Sequence, residues 1–162
     1  MLVTSRRSFL ALAIACLCVP LADATEAQVA VDTPRIAVSD AWARATPPGL
    51  DLSSAYLSIT NRGSRADLLL GASSPVADHV EIHRTLMEDD LSRMRPAEQL
   101  PLPPGATLRF APTGLHLMLV GLSAPLHEGK TVPLVLRFRD AGNLTVHVHI
   151  RPLGATAAHH GH

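Results

Sequence analysis

Between Ile36 and Ile150 hydropathy switches at nearly every second residue in a series of short runs, and proline or glycine falls between most of them. A period of two puts alternate side chains on opposite faces of an extended strand, whereas a helix needs apolar residues at every third or fourth position. Ala55, Leu57 and Ile59 share one face of Ala55–Thr60, and Asn61-Arg62-Gly63-Ser64 reads as the turn that follows. Val80 and Ile82 alternate with His79, Glu81 and His83. Further runs lie at Thr107–Phe110, Leu115–Leu122, Thr131–Phe138 and Leu144–Ile150. The thirteen prolines and ten glycines sit mostly between the runs, where an antiparallel sheet tolerates them. About seven short strands over roughly 115 residues predict an all-β sandwich.

The ends of the chain do not share this pattern. Arg6 and Arg7 precede a mostly apolar 14-residue run, Phe9–Ala22, and Ala22-Asp23-Ala24 has the small-x-small form of a signal-peptidase site. The run is shorter than the roughly 20 residues a membrane-spanning helix needs. Residues 1–24 are therefore expected to be a cleaved signal, and the protein to be exported to the periplasm with no membrane span. Ser5-Arg6-Arg7-Ser8-Phe9-Leu10 resembles the twin-arginine signal of proteins exported already folded. Ala13-Ile14-Ala15 before Cys16 lacks the larger aliphatic residue of a lipid-attachment site. Residues 25–35 read as a flexible leader, 36–153 as the domain, and 154–162 as a disordered, histidine-containing tail.

Both cysteines, Cys16 and Cys18, belong to the expected signal. A thiol-free exported domain has no disulfide framework, no thiolate nucleophile and no blue-copper site, which requires a cysteine ligand. Fourteen basic residues balance fourteen acidic ones, and no basic stripe or phosphate-binding glycine loop is present, which excludes general nucleic-acid binding. Ser53, Ser54 and the scattered histidines form no nucleophile–base–acid set, so an enzyme is not expected.

The soft atoms left for a metal are the sulfurs of Met87, Met94 and Met118, and nine histidines accompany them. His116 and Met118 stand two apart in a strand-like run, so an imidazole and a thioether project from one face while Leu115, Leu117 and Leu119 face the core. His83 leaves the polar face of its own strand, and Met94 is placed on a loop that swings back toward it. Thioether sulfur selects Cu(I) over Zn(II) or Cu(II), and imidazole binds most first-row metals.

The spacing His83-x10-Met94-x21-His116-x-Met118 resembles the H(M)-x10-M-x21-H-x-M signature of the periplasmic PCuAC copper chaperones. Asp40–Gly49, Ala55–Asn61, Met87–Asp90, Met94–Pro96 and Gly114–Leu119 also resemble text of that family, so the likeness spans residues 36–152. Arg84 departs from it, standing where the bracketed methionine would follow the first histidine, which leaves Met87 as the alternative to Met94 for completing the site; the resemblance favours Met94. The resemblance implies a cupredoxin-like Greek-key β-sandwich holding Cu(I) through His83, Met94, His116 and Met118. It also implies a copper recipient, either the copper A centre of cytochrome c oxidase or a Sco-type thiol assembly factor. Copper sequestration is the alternative role, and a metal-free interaction sandwich a more distant one.

The remaining candidates read more plainly. Met87 is expected as core filler, His79 and His127 as surface residues, and His147 and His149 as neighbours on an exposed strand face. Trp42 and Arg44 are expected to pack against and cap a sheet edge. His159, His160 and His162 form a short histidine tract of the kind that binds metals without a fold, here an auxiliary site preferring Cu(II). A monomer is expected.

Overall fold

The computed structural model describes residues 35–88 and 91–156, and all regular structure among them is β-strand. Ten strands follow in order: β1 (Ile36–Arg44), β2 (Leu52–Asn61), β3 (Asp67–Ser73), β4 (Ala77–Glu88), β5 (Leu91–Pro96), β6 (Leu100–Leu102), β7 (Thr107–Phe110), β8 (Leu115–Leu122), β9 (Thr131–Phe138) and β10 (Asn143–Arg151). The periodic runs locate β2, β4 and β7 to β10, while β3, β5 and β6 raise the count above the seven expected. The expected signal and the tail histidines lie outside the described residues. Among the described residues no helix is long and apolar enough to cross a membrane.

The strands form one sheet that closes on itself. Strands β4, β8, β2, β1, β10, β9 and β3 pair in succession, and β3 returns to β4 through Ala72 opposite Val80. Most neighbours are antiparallel, with β1–β10 and β7–β8 parallel. The inward faces of the strands make the core: Leu57, Ile59, Leu69, Leu102, Leu117, Leu119, Leu134 and Leu136 are almost fully buried. Burying an aliphatic side chain of this kind contributes about 1.5–3 kcal/mol relative to leaving it in water.

Two buried polar groups secure the loops around this core. Asn61 donates through Nδ2 to the carbonyls of Arg65 (2.7 Å) and Leu102 (3.0 Å), and its Oδ1 accepts from the Gly63 N–H (2.9 Å). Asp67 accepts from the N–H groups of Leu68, Asp140 and Ala141 and pairs with Arg35 at 3.3 Å. Burial raises the Asp67 pKa, but those N–H groups and the Arg35 charge outweigh it, and the carboxyl sits below its ordinary 3.8. Arg35, the last residue of the expected leader, is thereby tied to the domain.

Trp42 and Arg44 lie on a central strand, because β1 runs between β2 and β10, and they cap no sheet edge. Trp42 packs on Tyr56 at 4.5 Å between ring centroids, Arg151 covers Trp42, and Arg44 covers Tyr56. These are packing contacts between cations and aromatic faces.

The strand pair β4–β5 positions the site. β8 accompanies β4 only as far as Leu115 opposite Arg84, and beyond that point β4 has β5 alone as a neighbour. The result is a two-stranded arm projecting past the closed sheet. It carries Leu86, Met87, Leu91 and Met94, four of the six exposed large hydrophobic side chains among the described residues.

Candidate metal centre

The candidate residues meet through strand register. In the antiparallel β4–β8 pair His83 lies opposite His116, and Glu81 opposite Met118. On the other side of β4, Thr85 lies opposite Met94 and His83 opposite Pro96. Directly opposed residues share a face, as do residues two apart. His83, His116, Met118 and Met94 therefore occupy one face of three adjacent strands, on three successive rungs: Met118, the histidine pair, then Met94. Successive rungs are roughly 7 Å apart along the strands, and a methionine side chain can span much of that distance.

The two imidazoles sit edge to face, with centroids 5.9 Å apart. His116 is buried, and its Nδ1 bonds the Gly114 carbonyl at 3.1 Å. A carbonyl only accepts, so Nδ1 carries the proton and the lone pair of the neutral ring lies on Nε2. His83 has the opposite arrangement. Its Nε2 meets the Glu81 carboxylate at 3.2 Å, and its buried Nδ1 has no hydrogen-bond partner. A carboxylate this close favours the neutral tautomer with its proton on Nε2, which puts the lone pair on the orphaned Nδ1. Each ring thus has one nitrogen anchored and one available to a metal, the arrangement that orients metal-binding histidines.

The two thioethers differ. Met118 is partly buried, and its sulfur accepts a hydrogen bond from Ser54 Oγ at 3.4 Å. Ser54 is the residue opposite Met118 on β2. Met94 is 63% exposed and lies on strand β5, not on the loop expected from sequence. Its register opposite Thr85 puts it one rung from His83 along the arm. Met87 is 70% exposed, the reverse of the core filling expected of it. It faces the same way as His83 and Met94, because β4 places it four residues after His83.

His79, His127, His147 and His149 are exposed, as expected. Among the described residues no three His, Cys, Asp or Glu side chains gather closely enough to hold a metal by themselves. Beside His83, β3 and β4 part after their single pairing and leave a cleft of about 610 Å³, lined by Gly71, Glu81, His83, Pro96, Glu98 and Arg137.

Residues 36–150 match the family described as "Putative lipoprotein LpqE-like". The chain belongs to this family. The LpqE-like chain is 34% identical over 117 residues to Lxx21020 of Leifsonia xyli subsp. xyli, also described as a lipoprotein, covering 72% of this chain and 69% of that one. Its fold is that of the PCuAC domains, as the motif text implied. The copper-bound PCuAC domain from PmoF2 superposes with a TM-score of 0.62 at 25% identity, covering 73% of this chain and 93% of the other. Cu(I)-bound DR1885 from Deinococcus radiodurans gives 0.56 at 28% identity, over 75% and 82%. The expected cupredoxin-like sandwich is therefore the fold of the LpqE-like chain.

Sequence reasoning missed two polar residues at this face. Glu81 bridges His83 and His79, with its second oxygen 3.2 Å from His79 Nε2. Its position two before His83 was a usable signal, because the same strand face was already assigned. Ser54 carried no such signal: its contact with Met118 depends on the β2–β8 register, set 64 residues apart in sequence.

Proposed function

We propose that this protein is a periplasmic Cu(I) chaperone, exported by its N-terminal signal, and that His83, Met94, His116 and Met118 hold the copper. The observation that carries the reading is the pair of facing histidines, each with one nitrogen anchored and one lone pair free, beside thioethers on the same strand face. Two imidazoles and two thioethers are neutral and partly soft. They suit Cu(I), leave a site of net charge +1, and form no disulfide in an oxidising compartment. Solved PCuAC relatives with copper and with Cu(I) support the same cargo. The family description as lipoproteins supports export.

The residues divide the work. His83 and His116 supply directional nitrogen ligands held by Glu81 and by the Gly114 carbonyl. Met118 supplies a sulfur steadied by Ser54, and Met94 an exposed sulfur that an incoming acceptor can displace. The activity is transfer of copper by ligand exchange, without turnover. The recipient we propose is the copper A centre of cytochrome c oxidase or a thiol-bearing Sco-type assembly factor. The tail histidines His159, His160 and His162 would add an auxiliary Cu(II) site.

Cu(I) titration against a chromophoric chelator, run with the parent, Met118→Ala and Met94→Ala, tests the ligand set. Each variant is expected to bind about tenfold or more weakly. A variant that binds as tightly as the parent removes that residue from the site. Deleting the gene tests the role: lost oxidase activity at low copper supports delivery, and copper sensitivity alone supports sequestration.

A further inference from the structure

The projecting arm separates its residues by chemistry. His83, Thr85, Met87, Ser92, Met94 and Pro96 share the face of the candidate centre, because Met87 lies opposite Ser92 and Thr85 opposite Met94. The reverse face carries Arg84, Leu86, Leu91, Arg93 and Arg95. All four large apolar side chains of the arm are exposed, so none is there to fill a core. The two on the copper-facing side are both methionine, and the two on the reverse are both leucine. Burial does not distinguish the two faces; sulfur does.

Met87 and Met94 are diagonal neighbours across the β4–β5 pair. Such positions lie about 7–8 Å apart at Cα, within reach of long side chains converging on one atom. At 70% and 63% exposure both sulfurs are open to solvent and to a partner. We propose that Met87 and Met94 form an outer thioether site for a soft monovalent cation, through which Cu(I) passes between the histidine centre and its acceptor. This inference rests on the chaperone reading above. Met94 is shared: it completes the inner set when copper is held and turns outward with Met87 when copper leaves. In that step copper keeps its bond to Met94, gains one to Met87 and releases His83, His116 and Met118, whose places an acceptor's ligands take. Copper stays Cu(I), and no electron or proton moves.

The test is a titration of protein labelled with ¹³C at its methionine methyl groups, using Ag(I) as a redox-inert stand-in for Cu(I). The first equivalent is expected to shift the methyl resonances of Met94 and Met118, and the second to draw Met94 outward, leaving the first on His83, His116 and Met118, and to shift Met87 with it. In Met87→Leu, which keeps the apolar bulk and removes the sulfur, the second equivalent should bind at least about tenfold more weakly. The first should stay within about twofold of the parent. A Met87 methyl that stays still through two equivalents overturns the outer site. Weaker binding of the first equivalent in Met87→Leu also overturns it, by making Met87 an inner ligand. A first equivalent that leaves Met118 unmoved sinks the chaperone reading itself.

Discussion

Replacing Glu81 by alanine should weaken Cu(I) binding although Glu81 is not assigned as a ligand. The carboxylate lies 3.2 Å from His83 Nε2, and this contact favours the neutral tautomer with its lone pair on the buried Nδ1. Without it His83 can place its proton on either nitrogen and can reorient about its side chain. Partners of metal-bound histidines of this type are worth about 10–100-fold in affinity. Glu81 is 45% exposed, so water replaces part of what is lost, and the expected change falls at the lower end, about tenfold or 1.4 kcal/mol. Glu81→Gln keeps an acceptor oxygen without the charge and should fall between parent and alanine, about threefold weaker. His79→Ala removes the other partner of Glu81 and leaves His83 anchored, so it should stay within about twofold of the parent. The assay is competition with a chromophoric Cu(I) chelator at fixed pH and salt. Parent-like affinity in Glu81→Ala, or an equal loss in His79→Ala, would refute the anchoring argument.

Asp67→Ala should destabilise the fold by about 3 kcal/mol, because three backbone N–H groups lose their acceptor and Arg35 loses its partner. Since the folded-state pKa of Asp67 lies below its ordinary 3.8, its contribution is fully present above that value and is lost as pH falls through the folded pKa. Urea unfolding from pH 7 down to pH 2 should therefore show a shallower acid loss in Asp67→Asn than in the parent, and identical slopes would count against it. Truncation after Gly154 should lower Cu(II) stoichiometry and leave Cu(I) binding at the histidine centre intact. Unchanged Cu(II) stoichiometry would reject the tail site.

How far the sequence reached depended on what each strand buries. β2, β8 and β9 hold one face against the core, and their alternation was plain. β3 was missed because Leu68, Leu69 and Leu70 run together without alternating. β5 was missed for the opposite reason: the arm buries neither face, so Leu91–Pro96 carries no periodic signature. β6 is three residues long and contains Pro101. The site divides the same way. His116 and Met118 share a face by the two-residue period alone. The meeting of His83 with His116 is a matter of register between β4 and β8, and nothing within either run states which residue opposes which. The exposure of Met87 likewise follows from where β8 stops, a long-range property that no local composition reveals.

The arm also ends the sheet. β5 is its outermost strand on that side, and among the described residues its far row of backbone N–H and C=O groups has no neighbouring strand. Such an edge can recruit a strand from another molecule, and a second copy is the partner always nearest at high concentration. Pro96 works against this at one end of the edge, because proline offers no N–H. An edge blunted in this way is a poor template for an unbroken ladder between copies, while the rest of the arm stays open to brief encounters.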